Sequence, residues 1–132
     1  MGEQVIGCSG HTWEFYYSLF ERNSLDNAGM KIIQTIHYGT NYQNTFWNGK
    51  QMVYGDGDGK IFASFTSDID VIGHELTHGV QQFETNLEYK DESGALNESL
   101  ADGFGIMIKQ KVLNQDAGTS DWLIGENVLN WR

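Results

Sequence analysis

Two histidines and a glutamate stand together in an apolar stretch, "VIGHELTHGV", which runs from Val71 to Val80. If this stretch is helical, His74 and His78 are four residues apart and lie on one face, where both imidazoles can bind one ion. Zn²⁺ accepts nitrogen and oxygen ligands, and a catalytic zinc keeps one position for water. Glu75 leans toward that position and can take a proton from the water as it attacks a carbonyl. The spacing therefore predicts a zinc-dependent hydrolytic site, as in the H-E-x-x-H motif.

A third zinc ligand is predicted in "NESLAD", twenty residues after His78. Glu98 and Asp102 are four residues apart and share a helix face. If the two helices are antiparallel, Glu98 lies opposite His78 and Asp102 lies beside His74. Glu98 then completes a two-histidine, one-glutamate site, and Asp102 can accept the second ring N–H of His74. A solvated helix face is the alternative, but the carboxylates are interspersed with apolar residues: Ala95, Leu96, Leu100 and Phe104.

Two other interpretations of the histidine pair stay open at this point. The histidines could belong to a half-buried helix whose neighbours satisfy them without a metal. A structural zinc module is a further alternative, but such modules favour four closed ligands, often cysteine. Cys8 is the single cysteine, so an intrachain disulfide is excluded. His11 and His37 have no ligand spacing to the motif.

The elements that must position these residues predict an α+β fold. A first helix is predicted in "SGHTWEFYYSLFERNSLDNAG", with Ser9 as its cap, and a strand in "MKIIQTIHYG". Short strands joined by Asn-Gly and Asp-Gly turns follow in "TFWNGKQMVYGDGDGKIFASF". Ser67 or Asp68 can cap a helix that ends near Phe83, and a second long helix covers residues 92–112. We therefore expect one domain over residues 1–132.

Composition excludes two classes of partner. The 132 residues carry 8 Lys and Arg against 18 Asp and Glu, a net charge of −10. Nucleic acids and anionic membrane surfaces both require a basic footprint, so neither is an expected partner. No apolar run approaches the roughly 20 residues of a membrane span. The opening residues do not have the pattern of a signal peptide.

Several motifs together resemble the thermolysin-like neutral metalloproteases. They are "HYGTNYQNTFWNG", "MVYGDGDG", "IDVIGHELTHGV", "ESGALNESLAD" and "DWLIGE", and they cover nearly the whole chain. The resemblance implies a zincin-like fold, in which short antiparallel or mixed strands pack on an N-terminal helix and an antiparallel pair of zinc-binding helices. It also implies a zinc-dependent metalloendopeptidase that acts on peptides or proteins. The family is mostly secreted, which implies an extracellular location.

The resemblance also implies roles for individual residues. His74, His78 and Glu98 would bind zinc, Glu75 would be the catalytic carboxylate, and Asp102 and Asn97 would support the histidines. Tyr89 would stabilise the tetrahedral intermediate, although an ordinary surface tyrosine is the alternative. Asn44 and Thr45 would belong to an edge strand that binds the substrate backbone, unless they are turn residues. Phe62 and Val71 would line a pocket for a hydrophobic residue after the scissile bond, unless they are plain core.

One departure from the family pattern concerns calcium. Members commonly bind a pair of calcium ions through several carboxylates, and Asp70, Asp121 and Glu126 match three of those positions. A fourth, normally acidic, is Lys109 here, and a fifth is Leu123. We expect the double calcium site to be lost and the Lys109 ammonium to take its place among the three carboxylates.

A second departure concerns length. The family fold continues into a C-terminal helical domain that supplies further groups to the active cleft, and we expect that domain to be absent from this chain. The chain would then resemble the N-terminal half of the catalytic unit, with weak or no activity alone. The exposed cleft face would favour self-association. A non-catalytic zinc- or peptide-binding domain, or a pseudoenzyme, is the alternative function.

Overall fold

Three helices and a small sheet make up the computed structural model, which describes residues 2–60, 65–66 and 68–128. The predicted α+β class is confirmed. In chain order the elements are α1 (Gly2–Phe20), β1 (Gln34–Thr35), β2 (Thr45–Trp47), β3 (Met52–Tyr54), α2 (Ile69–Glu84) and α3 (Asp91–Val112).

The sheet is mixed, with the strand order β1-β3-β2. Strand β3 is buried and central, and it pairs in parallel with β1 and antiparallel with β2. Asn48 shapes the β2–β3 turn because its Oδ1 accepts hydrogen bonds from the backbone N–H groups of Lys50 and Gln51. Gly49 supplies the positive φ of 92° in that turn. In the strand order of the described residues, β2 pairs only with β3 and is an edge strand.

The strand predicted in residues 30–39 is shorter than expected. Only Gln34 and Thr35 are in strand conformation, opposite Met52 and Val53 of β3. His37, two residues further on, has a φ of 60°, outside the extended region. Met30, Ile32 and Ile36 therefore pack against the core mostly without a sheet ladder.

The predicted cap of α1 is wrong. The helix already begins at Gly2, and Ser9 is buried within it. The Ser9 hydroxyl instead donates to Gln34 Oε1 at 2.8 Å. Val5, Ser9 and Thr12 follow one another at helical spacing on the buried face, so packing continues the helix through a glycine-rich tract of weak helix propensity.

Asp68 does precede α2, as expected, but its side chain makes no capping hydrogen bond. It accepts instead from the backbone N–H groups of Asn127 (2.8 Å) and Val128 (3.1 Å). Ser67, the other predicted cap, lies outside the described residues. Helix α3 begins one residue before its predicted start and ends at the predicted residue.

The core lies between α1, the sheet and the α2–α3 pair. Its fully buried side chains include Met52 and Tyr54 of β3, Ile72 and Leu76 of α2, and Ile108 of α3. A buried 2.7 Å hydrogen bond also joins the Tyr16 and Thr77 hydroxyls across α1 and α2. Within the described ranges, no helix is both long enough and apolar enough to cross a membrane.

Candidate metal centre and cleft

Helices α2 and α3 are antiparallel, as the family resemblance implied. Their side-chain contacts run in opposite order along the two helices. The pairs, in α2 order, are Asp70 with Lys109, His74 with Asp102, and His78 with Asn97. This arrangement brings both histidines of α2 against the acidic face of α3.

The side chains of His74, His78 and Glu98 converge on one point. The two Nε2 atoms are 3.0 Å apart, and the Glu98 carboxylate oxygens lie 3.2 Å from His74 Nε2 and 3.3 Å from His78 Nε2. Ligand atoms about 2.0–2.2 Å from one zinc ion at tetrahedral angles lie about 3.4 Å apart. Both the donor set and its spacing therefore fit a zinc ion.

Each histidine is held through its second ring nitrogen. His74 Nδ1 contacts Asp102 Oδ1 at 2.8 Å, and His78 Nδ1 contacts Asn97 Oδ1 at 2.6 Å. These contacts leave both Nε2 atoms facing the shared centre. Burial lowers the pKa of His78, although the Asn97 bond acts in the opposite direction. A neutral imidazole is the form that binds a metal.

Glu75 lies between this centre and the sheet. Its Oε2 accepts a hydrogen bond from the backbone N–H of Trp47 in β2, at 3.3 Å. Burial raises the pKa of Glu75 to about 8; the Trp47 N–H lowers it, and the nearby Glu98 carboxylate adds to the rise. Because Trp47 holds one oxygen, the carboxylate is fixed beside the two histidines.

Tyr89 lies at the rim of the centre, in the connection between α2 and α3. Its side chain is 70% exposed, and its hydroxyl donates a hydrogen bond to Glu98 Oε1. That bond to the carboxylate raises the pKa of Tyr89 to about 12. The Tyr89 and His78 rings meet edge to face with centroids 6.1 Å apart. The phenol is thus a protonated donor within reach of the cleft.

A cleft of about 660 Å³ opens in front of the three ligands. Its lining combines β2 and its flanks with α2, the α2–α3 connection and α3: Asn44, Thr45, Phe46, Trp47, Gly49, His74, Glu75, His78, Gln82, Asn86, Leu87, Tyr89, Asn97 and Glu98. The edge strand β2 therefore forms one wall, and the helix pair forms the other.

Of the four residues expected to contact substrate, two lie in this wall. Asn44 and Thr45 line the cleft, with Thr45 Oγ1 anchored to the Val53 carbonyl at 2.8 Å. Val71 does not line this cleft as the described residues form it. Phe62 lies outside the described residues.

Trp47 and Gln82 also line the cleft, although the sequence analysis did not predict a role for either. The Trp47 Nε1–H donates to Gln82 Oε1 at 2.9 Å, and Gln82 Nε2 donates to the Gly49 carbonyl at 3.3 Å. Gln82 follows Glu75 by two helical turns, so helical periodicity could have placed it on this face. The partnership with Trp47 depends on the fold, since 35 residues separate the two.

Lys109 lies among the carboxylates with which it was expected to pair. Its Nζ is 3.5 Å from Asp70, 3.4 Å from Asp121 and 3.8 Å from Glu126, and it donates to the Leu123 carbonyl at 3.0 Å. Burial opposes protonation of the amine, but Asp70 and Asp121 outweigh it, and the pKa of Lys109 is raised. The ammonium therefore joins α3 to the first turn of α2 and to residues 121–126.

Two family models match the chain in succession. The model described as the thermolysin metallopeptidase catalytic domain matches residues 6–82, and the one described as the thermolysin metallopeptidase alpha-helical domain matches residues 85–132. The division falls between α2 and α3. The two histidines thus lie in the first match, and Glu98 lies in the second.

Several proteases are similar in sequence to this chain. An extracellular metalloprotease of Pectobacterium carotovorum subsp. carotovorum is 56% identical over 127 residues, which are 96% of this chain and 37% of that protein. Protease PrtS of Photorhabdus sp. (strain Az29) is 54% identical over 118 residues, 89% of this chain and 32% of that protein. Bacillolysin of Bacillus cereus is 51% identical over 120 residues, 91% of this chain and 20% of that protein.

A solved structure also matches. It is the precursor of protealysin, a metalloproteinase from Serratia proteamaculans, with a TM-score of 0.94 and 53% sequence identity. The match covers 96% of this chain and 39% of that one. This chain therefore spans well under half the length of the proteins it resembles.

Proposed function

Because the chain belongs to the thermolysin metallopeptidase family, we propose that it takes part in the zinc-dependent hydrolysis of internal peptide bonds. The observation that carries the proposal is the convergence of His74, His78 and Glu98, with their ligand atoms all within 4.8 Å of one another and Glu75 beside them. Relatives named as metalloproteases support the reaction class. The proposed substrates are peptides or proteins.

In this proposal His74 and His78 bind zinc through Nε2, and Glu98 binds it through its carboxylate. A bound zinc ion supplies Lewis-acid activation of water near neutral pH. Asp102 and Asn97 orient the two imidazoles from behind and select the tautomer that presents Nε2 to the ion. The negative charge of Asp102 also makes the His74 imidazole a stronger metal ligand than a neutral partner would.

Glu75 is the proposed general base. Its carboxylate accepts the proton of the attacking water and later delivers a proton to the leaving amine. The hydrogen bond from the Trp47 N–H to Oε2 supports this role, because it fixes the carboxylate and leaves Oε1 free of that bond. Tyr89 is the proposed donor to the oxygen of the tetrahedral intermediate. Its exposed hydroxyl, now bonded to Glu98, would turn toward bound substrate.

Substrate would bind in extended form along β2. An edge strand presents backbone hydrogen-bonding groups to an added strand, and Asn44 and Thr45 line the cleft beside that edge. The proposed preference for a hydrophobic residue after the scissile bond rests on the family pattern at Phe62 and Val71. An extracellular location is proposed from the name of the Pectobacterium relative.

We also propose that the calcium pair bound by many family members is lost here. The Lys109 ammonium supports this, because it already forms ion pairs with the carboxylates of Asp70, Asp121 and Glu126. A divalent cation among the same oxygens would meet an unfavourable positive charge within a few ångströms. We propose one folded unit over residues 1–132, because Lys109 joins residues 121–126 to both helices.

The test is a peptide-hydrolysis assay on the zinc-loaded chain, with Glu75→Gln as the variant. We expect one zinc per chain in both proteins, chelator-sensitive cleavage of a hydrophobic peptide by the native sequence, and a loss of roughly 10²–10⁴-fold in the variant. Zinc binding without chelator-sensitive cleavage, both by this chain and by a chimera that continues it with the remaining part of the Pectobacterium relative, would favour the alternative, a zinc- or peptide-binding domain without catalysis. Failure to bind zinc would overturn the proposal.

A further inference from the structure

Helices α2 and α3 touch through their backbones at one point. A Cβ built on Gly105 of α3 would lie 2.6 Å from the Asp70 carbonyl oxygen and 3.2 Å from the His74 backbone nitrogen. On the other side, a Cβ on Gly73 would lie 2.9 Å from Ile108 Cδ1 and 3.5 Å from Gly105 Cα. Ordinary van der Waals contact begins at 3.4 Å. No side chain therefore fits between the helices at the Gly105 position.

This crossing lies directly behind the proposed metal site. The backbone that a side chain at Gly105 would meet belongs to Asp70 and to the proposed ligand His74. Glu98 precedes Gly105 by seven residues, two turns along the same face of α3. Because a helix is a stiff rod, a change in the separation or rotation of α3 at Gly105 also displaces Glu98. The distances of 3.2 Å and 3.3 Å from its carboxylate to the two histidines depend on that placement.

We infer that Gly105 is a positioning residue, whose missing side chain sets the approach of α3 to α2 and so the ligand geometry of the zinc site. The inference rests on the proposed zinc site and adds a residue that touches neither metal nor substrate. A methyl group at Gly105 meets fixed main-chain atoms of α2, not a movable side chain. The strain can be relieved only by moving one helix relative to the other.

Helix α3 provides a matched control. Gly103 lies two residues before Gly105, and a Cβ there meets nothing within 4 Å. Gly103→Ala and Gly105→Ala both replace glycine by the better helix former in the same helix. Any difference between them in metal binding therefore reports the crossing and not helix propensity.

The experiment measures Zn²⁺ affinity by competition with a chromophoric chelator, and the visible absorption of the Co²⁺-substituted chain. For Gly105→Ala we expect a loss of about tenfold or more in affinity, the range found for residues that orient metal ligands, and an altered Co²⁺ spectrum. Gly103→Ala should match the native chain in both. A folded Gly105→Ala chain with native affinity and spectrum would overturn the inference.

A second variant decides the question if Gly105→Ala does not fold. Gly73→Ala places its methyl against Ile108 Cδ1, the end of a buried side chain, and should weaken Zn²⁺ binding less severely. Combining it with Ile108→Val removes that carbon and should restore the affinity. A loss of affinity in Gly73→Ala that Ile108→Val does not restore would then overturn the inference, because the loss would not come from the helix crossing. Zinc binding by the native chain separates the two proposals, because its absence would overturn the proposed function as well.

Discussion

The two proposed histidine ligands differ in what holds them. Asp102 offers His74 a carboxylate, whereas Asn97 offers His78 a neutral amide oxygen. Asn97 is itself buried, and its backbone carbonyl accepts a 3.0 Å bond from Gln81 Nε2. A charged hydrogen-bond partner therefore orients His74, whereas a buried network of neutral hydrogen bonds orients His78.

Replacement of Asp102 by Asn should weaken zinc binding while leaving the fold intact. The variant keeps the size of the side chain but removes the negative charge beside His74, and changes of this kind cost about 10–100-fold in metal affinity. Competition with a chromophoric chelator gives the affinity, and far-ultraviolet circular dichroism checks the fold. Glu92→Gln, an exposed change at the start of the same helix, is the control. Equal affinities for the two variants would contradict the role assigned to Asp102.

For individual residues, the sequence predicts those contacts that depend on a spacing of about one helical turn. The separations His74–His78 and Glu98–Asp102 span one helical turn each, and the helix geometry alone places each pair on one face. The contact between the Trp47 N–H and Glu75 could not be predicted this way, because it joins a strand to a helix across 28 residues. Ser9 shows the same limit, since its role as a buried donor to Gln34 depends on tertiary packing.

Among the elements, α2, α3 and residues 121–126 are joined by one buried charge. Lys109 is 6% exposed and Asp70 is 1% exposed, so neither is screened by solvent. Lys109→Met should destabilise the chain by roughly 3–5 kcal/mol, because Asp70 would be left buried beside Asp68 without its cation. Urea denaturation of the apo chain measures the effect. Lys111→Met, exposed in the last turn of the same helix, is the control and should change stability by less than about 0.5 kcal/mol.

The same ammonium leads to a prediction about calcium. A ligand at a hundredfold excess over its dissociation constant would stabilise the chain by about 2.7 kcal/mol. If Lys109 occupies the place of the ion, the melting temperature should be the same with calcium and with a calcium-selective chelator. Differential scanning calorimetry makes the comparison at fixed zinc. A melting temperature that climbs with calcium concentration would show that the carboxylates still bind the ion.

Helix positions were more predictable than strand positions. Helices α2 and α3 cover 16 and 22 residues, and their predicted ends were within about one residue. Helix α1 instead begins seven residues before its predicted cap, Ser9. The strands have only two or three residues each, too few for alternation to define their limits. β2 forms one wall of the cleft because it is an edge strand. Its edge position depends on the pairing of β1 with β3, so the residues of β2 alone do not predict it.

Across the whole molecule, apolar side chains remain exposed on several faces. Trp122, Leu123 and Ile124 are each more than 40% exposed, as are Ile6 and Tyr17 on α1. Exposed apolar surface favours association, and the chain covers only 37% of its Pectobacterium relative. We therefore expect concentration-dependent self-association, measurable by sedimentation velocity. A single monomeric species across the concentration range would contradict that expectation.

Hydrolysis by the 132 residues alone should be slow. The cleft has one wall from β2 and one from the helix pair, and the proposed donors to the developing oxyanion are limited to Tyr89 among the described residues. One missing oxyanion donor costs about 10²–10³-fold in turnover. A chimera that continues this chain with the remaining C-terminal part of the Pectobacterium relative should therefore hydrolyse a hydrophobic peptide at least about 10²-fold faster than the chain alone. Both proteins would be zinc-loaded, and the chimera with Glu75→Gln is the control. Equal turnover numbers would show that the groups needed for catalysis already lie within these residues.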